Sequence, residues 1–193
     1  MHVLRPEYVL RARNAVPASQ SGFRAHRNAP ESTLALVLAR EQTVAERGAM
    51  YRGYIDYSCY FPSICRDVLR LVESKCGVDE NVTDVVLALH GSTSMRYDLG
   101  NRMTAGIASH TGTGQGDPDA PDRGLLMTSP VQKAVAELAE GYRMRTPRGA
   151  RYPVLSQVWF ADDGSFVSTS LDGLQPAVDL VSAVRAEERR AGG

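Results

Sequence analysis

The chain has 193 residues, 43% of them hydrophobic, and its formal net charge is zero. That length suffices for one domain with a sizeable core, and the composition is that of an ordinary globular protein. No apolar run approaches the roughly 20 residues that a membrane-spanning helix requires, and the N-terminus lacks the long apolar stretch of a secretory signal. The composition therefore argues against membrane and secreted proteins.

The first predicted elements are a helix and a strand. Asn28 is a candidate N-cap, and Pro30 and Glu31 follow it as they do in the first turn of many helices. Helical spacing of apolar residues continues until Gly48, which ends the run. Aromatic and β-branched residues then predict a strand over 51–57.

The middle of the chain predicts mainly helices. Apolar residues at helical spacing indicate one helix over 63–75 and another from about Asp79. Short strands are predicted within 95–108. The glycine-rich stretch 111–118 has the composition of a loop, and a further helix is predicted beyond Pro121.

A hairpin is predicted near the end of the chain. Two β-rich runs, 154–160 and 165–169, flank the four residues 161–164, and the Asp163-Gly164 pair among them is a strong signal for a hairpin turn. A final helix is predicted from about Leu174. The order of elements predicts an α+β fold, in which helices cover an antiparallel sheet.

Three aspartates lie at the ends of these predicted strands. Asp56 ends the first strand, and Asp162 and Asp163 lie at the hairpin tip. Clustered carboxylates repel each other unless a cation is present, and hard oxygen ligands suit Mg²⁺. Each piece alone has a simpler interpretation, since an Asp-Asp-Gly tip is usually only a turn and Asp56 could cap a helix.

Four segments, in order, resemble signatures of reverse transcriptases. Segment 54–64 is similar to the first catalytic motif, which has an aspartate after apolar strand residues and an aromatic residue five positions later. Segment 114–118, followed by Pro121, is similar to the second signature, especially that of non-LTR retrotransposons and group II intron relatives. Segment 159–163 resembles the aromatic-x-Asp-Asp box, and segment 19–24 is similar to the fingers segment upstream.

The resemblance implies a fold and an activity. The fold would be a polymerase palm-type antiparallel sheet packed against helices, with residues 1–50 as part of the fingers, residues 51–193 as the palm, and no thumb. The activity would be RNA-directed DNA polymerisation, in which deoxynucleoside triphosphates extend a DNA primer on an RNA template. Further thumb or endonuclease regions would belong to a longer polyprotein.

The resemblance also assigns a catalytic metal site. Asp56, Asp162 and Asp163 would be the catalytic residues and the ligands of Mg²⁺ or Mn²⁺, with Asp163 in a supporting position. Two such ions can activate a primer 3′-hydroxyl and stabilise the departing pyrophosphate.

Five further residues would contact the nucleotide. Backbone amides near Tyr57 would approach the triphosphate, and Phe61 would pack under the sugar and select deoxynucleotides. Gln115 and Gly116 would lie against the incoming nucleotide and the template, since glycine allows close backbone approach. Arg24 is a candidate contact to phosphate or template.

Some positions depart from the family pattern. Asp119 places an acid beside the predicted nucleotide site, where repulsion would weaken triphosphate binding. Asp117 and Pro118 are expected to start the following helix as N-cap and first residue. Asp119, together with the missing basic fingers strand and thumb, motivates the alternative of a non-catalytic retroelement remnant that binds nucleic acid weakly at most.

The cysteines bear on the compartment. There are three of them, Cys59, Cys65 and Cys76, with no CxxC pair. That pattern is typical of reduced thiols in a reducing environment. We therefore predict an intracellular protein, cytoplasmic or nuclear, without a membrane partner.

Overall fold

The computed structural model describes residues 15–114, 116–145 and 149–191. These residues form two units. The sheet unit comprises Val16–Ser58 and Thr128–Ala191, and the helical unit comprises Cys59–Met127 together with Ala15. None of the helices in these parts of the chain is both long and apolar enough to cross a membrane.

Helices and strands alternate irregularly along the chain. In chain order they are α1 (Ala29–Ala45), β1 (Tyr51–Ile55), α2 (Tyr60–Ser63), α3 (Arg66–Lys75), α4 (Glu80–Gly91), β2 (Ser94–Met95), β3 (Ile107–Ala108), α5 (Ala120–Leu138), β4 (Tyr142–Arg145), β5 (Arg151–Leu155), β6 (Gln157–Phe160), β7 (Asp163–Ser168) and α6 (Leu171–Ala191).

The sheet unit is built on a three-stranded antiparallel sheet in the order β1-β7-β6. The central strand β7 is therefore paired on both sides. Its face that includes Val167 packs on α1, where Leu36 and Ala39 are buried with Tyr142. Asn28 starts α1 by accepting a hydrogen bond from the Glu31 amide at 2.9 Å, as the sequence predicts.

The opposite face of the sheet packs on α6. A Cβ placed on Gly53 of β1 would lie 3.6 to 3.8 Å from Phe166, Val178 and Leu174, so the strand and the helix are in close contact there. The Trp159 and Phe166 rings lie 5.8 Å apart between centroids, and both are fully buried. This sheet thus has an apolar layer on each face.

The helical unit contains α2, α3 and α4, the short β2–β3 ladder and the first part of α5. In its core Val78 packs against Leu126, and Val72, Cys76 and Val82 pack around these two residues. Asp79 caps α4 by accepting a hydrogen bond from the Asn81 amide at 2.8 Å. This cap lies where the sequence predicts the start of a helix.

The predicted α+β class is confirmed, with small antiparallel sheets and covering helices. Several local predictions differ from the structure. The run 154–160 is interrupted at Ser156 because Leu155 pairs with β4, a strand that the sequence analysis did not predict. The helix predicted over 63–75 begins at Arg66, as α3, and is preceded by the short helix α2, which was not predicted; α6 begins three residues earlier than predicted. The family-based boundary at residue 50 stays a prediction.

Candidate active site

Asp56 directly follows β1, and Asp163 begins the neighbouring strand β7. Ile55 of β1 pairs with Gly164 of β7. Asp56 is the next residue after Ile55, and it therefore lies opposite Asp163. Directly opposed residues of an antiparallel pair have Cβ atoms about 4.5–5.5 Å apart and share one face of the sheet. Both aspartates are exposed. The two carboxylates are therefore neighbours at one edge of the sheet unit.

Asp162 lies in the turn beside them. Phe160 pairs with Asp163, which leaves Ala161 and Asp162 as a two-residue hairpin loop. The predicted hairpin is therefore present, and its loop is formed by the first two of the four residues 161–164 that were predicted to make the turn. Asp56, Asp162 and Asp163 are called the aspartate cluster below.

Mutual repulsion is visible in the electrostatics of the cluster. Burial of the half-buried Asp162 carboxyl is the main cause that raises its pKa above the ordinary value. The negative charges of Asp163 and Asp56 raise this pKa further, while a hydrogen bond from its own backbone amide lowers it. The three carboxylates therefore interact electrostatically.

The donor set of the aspartate cluster fits a divalent cation. Among the described residues, no arginine, lysine or histidine forms an ion pair with any of the three. Carboxylate oxygens are the ligands that Mg²⁺ and Mn²⁺ accept, and a bound cation would relieve the repulsion that disfavours the ionised form of Asp162.

The sheet face beside the cluster carries exposed aromatic rings. Residues two apart in a strand lie on one face, so Tyr54 shares the face of Asp56. Tyr54 is 69% exposed, and the Arg52 guanidinium lies 4.9 Å from its ring centroid. Phe160, paired with Asp163, is 40% exposed. An aromatic surface that can stack on flat groups therefore adjoins the carboxylates.

Tyr57 and Arg24 also belong to the sheet unit. Tyr57 is buried, and the Arg185 guanidinium of α6 lies 4.7 Å from its ring centroid. Arg24 donates hydrogen bonds from Nη1 to the carbonyl oxygens of Pro17 at 2.8 Å and Gln20 at 3.2 Å. The predicted contacts of both residues with nucleotide stay predictions.

Phe61 and Gly116 belong to the helical unit. Phe61 is half-buried and meets Tyr60 edge to face, with ring centroids 5.4 Å apart. A Cβ added to Gly124 would lie 3.1 Å from the Phe61 ring, so the ring packs closely on this glycine. Gly116 has a φ of 97° and open space around it. Gln115 lies outside the described residues.

Asp119 is held within the helical unit by Arg123. The Arg123 guanidinium is fully buried and lies 2.8 Å from the Asp119 carboxylate and 3.2 Å from that of Glu73. Glu73 also accepts a hydrogen bond from the Thr83 hydroxyl at 2.6 Å. α5 begins at Ala120, not at Pro118 as predicted, and its first residues complete this network. One guanidinium faces both carboxylates, so it offsets the charge of Asp119 only in part, and the expected repulsion of a triphosphate stays a prediction.

Asp119 is also close to a histidine. His90 Nδ1 lies 3.5 Å from the Asp117 carboxylate, and His90, Asp117 and Asp119 could each offer one ligand atom within 4.8 Å of one another. The carboxylate of Asp119 is already bonded to Arg123. This group is therefore part of a charge network inside the helical unit.

The sequence analysis missed the role of Gln20. Segment 19–24 stands out only by its family resemblance. In the structure its backbone extends the sheet: the Ser21 amide donates to the Trp159 carbonyl and the Trp159 amide donates to the Ser19 carbonyl, both at 2.8 Å. Gln20 contacts the turn that carries Asp162. No local pattern predicts this contact, because its partners are 141 positions apart.

Comparison with known proteins gives a likeness of fold. No family model matches the chain, and no curated protein matches it. A solved structure of apo telomerase from Candida tropicalis, truncated from the C-terminal domain, is similar over 93% of this chain with a TM-score of 0.62 and 10% sequence identity. The chain spans 36% of the length of that telomerase chain. The fold is therefore like that of the matched part of this telomerase chain.

Proposed function

We propose that this chain is a reverse transcriptase domain, an RNA-directed DNA polymerase that adds deoxynucleotides to a primer 3′ end. The observation that carries the proposal is the aspartate cluster, three carboxylates from two sequence-distant segments at one edge of an antiparallel sheet. The likeness of fold to a telomerase supports it. The motif types favour a relation to the enzymes of non-LTR retrotransposons and group II introns.

The chemistry assigned to the cluster follows from its ligands. Asp56 and Asp162 would hold Mg²⁺ or Mn²⁺, with Asp163 supporting them. The bound cations would supply charge neutralisation at the triphosphate and a lower pKa for the primer hydroxyl. The protein would contribute a hairpin that fixes its carboxylates, and the exposed rings of Tyr54 and Phe160 would offer surfaces on which bases can stack.

The remaining proposed contacts concern the substrates. The deoxynucleoside triphosphate would meet Tyr57, Phe61, Gln115 and Gly116, and Arg24 would contact phosphate or template. A DNA primer annealed to an RNA template would be the other partner. Thumb or endonuclease regions of a longer polyprotein would complete the grip on that duplex, since phosphate contacts supply most non-specific nucleic-acid affinity.

The alternative is a non-catalytic remnant that binds nucleic acid weakly at most. Asp119 was expected to repel a triphosphate, and its carboxylate lies 2.8 Å from the buried guanidinium of Arg123. The same guanidinium also pairs with Glu73, so one positive charge faces two carboxylates and offsets the charge of Asp119 only in part. Asp119 therefore stays a motive for this alternative.

Primer extension tests the proposal. A DNA primer annealed to an RNA template is incubated with deoxynucleoside triphosphates and Mg²⁺ or Mn²⁺, using the wild-type chain and Asp162→Asn. Asp179→Asn, which changes an exposed carboxylate on α6, is the matched control. We expect extension by the wild type and the control but not by Asp162→Asn. Absence of extension by the wild type would reject autonomous polymerase activity and favour the remnant.

A further inference from the structure

The side chain of Gln20 is hydrogen-bonded to the hairpin turn of the aspartate cluster. Its Nε2 donates a hydrogen bond to the Ala161 carbonyl at 2.8 Å, and its Oε1 accepts one from the Ala161 amide at 2.8 Å. The same oxygen accepts a hydrogen bond from the Gly22 amide at 2.8 Å. Gln20 has no solvent exposure. The nitrogen and the oxygen of this buried carboxamide therefore both form hydrogen bonds with the backbone of Ala161.

The residue that Gln20 holds adopts an unusual conformation. Ala161 has a φ of 58°, in the left-handed region that residues with a Cβ rarely occupy. It immediately precedes Asp162, so its backbone angles set the direction in which the Asp162 carboxylate points. Conformations of this kind persist only where the surrounding structure enforces them. The paired hydrogen bonds from Gln20 supply such enforcement.

Close packing reinforces the same contact. A Cβ on Gly22 would lie 2.1 Å from the Ala161 nitrogen and 2.8 Å from its Cα, so only glycine allows this approach. Ala161 is 8% exposed, which keeps water from competing for its amide and carbonyl. The turn is thus enclosed on one side by segment 19–22.

We propose that Gln20 is a positioning residue for the aspartate cluster, holding Ala161 so that the Asp162 carboxylate is oriented for a divalent cation. The inference rests on the part of the proposed function that makes the cluster a cation site. A carboxamide suits the task because it donates and accepts at once, whereas methionine fills a similar volume without either ability. Groups that orient ligands in this way strongly affect metal affinity.

The test is a titration of the full chain with Mn²⁺ alone, in which free Mn²⁺ is measured by electron paramagnetic resonance. Gln20→Met is compared with the wild type and with Gln157→Met. Gln157 is a matched control because it is also buried in the sheet unit, accepts from the Trp159 indole at 2.7 Å and donates to the Gln132 carbonyl, without bonding to Ala161. All titrations are run at a temperature well below the thermal unfolding midpoint of every variant.

We expect Gln20→Met to weaken Mn²⁺ binding about 10- to 100-fold, while Gln157→Met binds as the wild type does. Hydrogen exchange at the Ala161 amide should accelerate in Gln20→Met only. Should Gln20→Met fail to fold, Gln20→Asn, which retains a carboxamide but withdraws it by one methylene, takes its place with the same expectation.

Several results would overturn the inference. Equal Mn²⁺ affinity in the wild type and the Gln20 variant would do so, as would equal weakening by the Gln157 variant, because both would remove the specific role of Gln20. A wild-type chain that binds no Mn²⁺ also rejects it. Primer extension on the same preparations separates the two proposals: no extension with intact, Gln20-dependent Mn²⁺ binding rejects the polymerase and leaves the positioning role.

Discussion

In the helical unit, the Glu73 and Asp119 carboxylates lie against one buried guanidinium, that of Arg123. In the sheet unit, the aspartate cluster has no ion pair with a described cationic side chain, and the pKa of Asp162 is raised by burial and by its acidic neighbours. Carboxylates paired with a buried guanidinium fit a structural role, because the opposite charges of such an ion pair partly neutralise each other inside the protein. Carboxylates without an ion pair at an exposed edge of the sheet can bind a cation from solution.

The largest expected effect tests the paired carboxylates. Arg123→Met leaves Glu73, which is fully buried, without its cation. Removing one partner of such a pair costs about 3–5 kcal/mol of unfolding free energy. Urea denaturation of the whole chain measures this loss. Arg70→Met is the matched control, since the Arg70–Asp84 pair of the same unit is more than half exposed and should contribute at most about 1 kcal/mol.

A second substitution separates burial of charge from loss of contacts. Adding Glu73→Gln to Arg123→Met removes the unpaired charge while retaining most of the side-chain volume. We expect the double variant to recover part of the lost stability. A double variant that is as unstable as the sum of both single variants would show that packing, not the buried charge, explains the loss.

The next effect concerns the unpaired carboxylates. With Mn²⁺ at 100 times its dissociation constant, binding to the native state alone stabilises the wild type by about 2.7 kcal/mol. Asp162→Asn should lose most of this gain, and Asp179→Asn should keep it. Thermal unfolding with and without Mn²⁺ measures both. A full Mn²⁺-dependent gain in Asp162→Asn would mean that the cation binds elsewhere.

Without a cation, the same variant should be more stable than the wild type at neutral pH. Because the pKa of Asp162 is raised in the folded state, the ionised carboxylate costs stability above that pKa. The cost falls as the pH falls through the raised pKa, and it vanishes below the ordinary value of 3.8. The stability gap between Asp162→Asn and the wild type should therefore close on acidification.

A smaller loss of stability is expected from disturbing the close packing of Gly22 on Ala161, which supports the turn of the aspartate cluster. In Gly22→Ala the new methyl group would meet the Ala161 backbone nitrogen at 2.1 Å, so the turn or segment 19–22 must move. Overpacking of this kind costs about 1–3 kcal/mol. Gly91→Ala, at the end of α4 with open space around it, should be neutral or stabilising. Unchanged stability in Gly22→Ala would reject the close packing.

Local signals in the sequence predict much of this architecture. Asn28 caps its helix as predicted, and Asp79 caps the helix that is predicted to start near it, because a cap bonds to amides two or three positions away. The predicted strand ends bring Asp56 close to the Asp162-Asp163 pair, and in the structure Asp56 lies opposite Asp163. The hairpin loop lies within the predicted turn 161–164, but no local signal predicts the left-handed conformation of Ala161 or its contact with Gln20.

Contacts between distant segments account for the other misses. Between β4 and β5 the sequence has no Asp-Gly or Asn-Gly signal for a turn, and the pairing of these two strands divides the single run predicted over 154–160. The bond between Arg123 and Glu73 joins two helices, and neither residue is distinctive in its own segment. Such pairs are decided by tertiary packing, which a single sequence does not display.

The smallest effect concerns a third kind of acid, neutralised neither by a guanidinium nor by an outside cation. Glu140 accepts hydrogen bonds from the hydroxyls of Thr169 at 2.8 Å, Ser170 at 2.9 Å and Ser168 at 3.0 Å. These bonds, with Thr169 first, hold its pKa below the ordinary value. The Ser170 hydroxyl also accepts from the Gly173 amide, so Glu140 supports the start of α6.

Glu140→Gln should therefore lower stability slightly at neutral pH, and the loss should disappear in acid. A carboxyl whose pKa is depressed on folding contributes its stability above the unfolded value, 4.5, and loses it as the pH falls through the folded value. Glu140→Gln thus approaches the wild type from below on acidification, whereas Asp162→Asn approaches it from above. Thermal unfolding across the acid range distinguishes them. If both variants differed from the wild type in the same direction, hydroxyl contacts and carboxylate neighbours would not shift the pKa values of these acids in opposite directions.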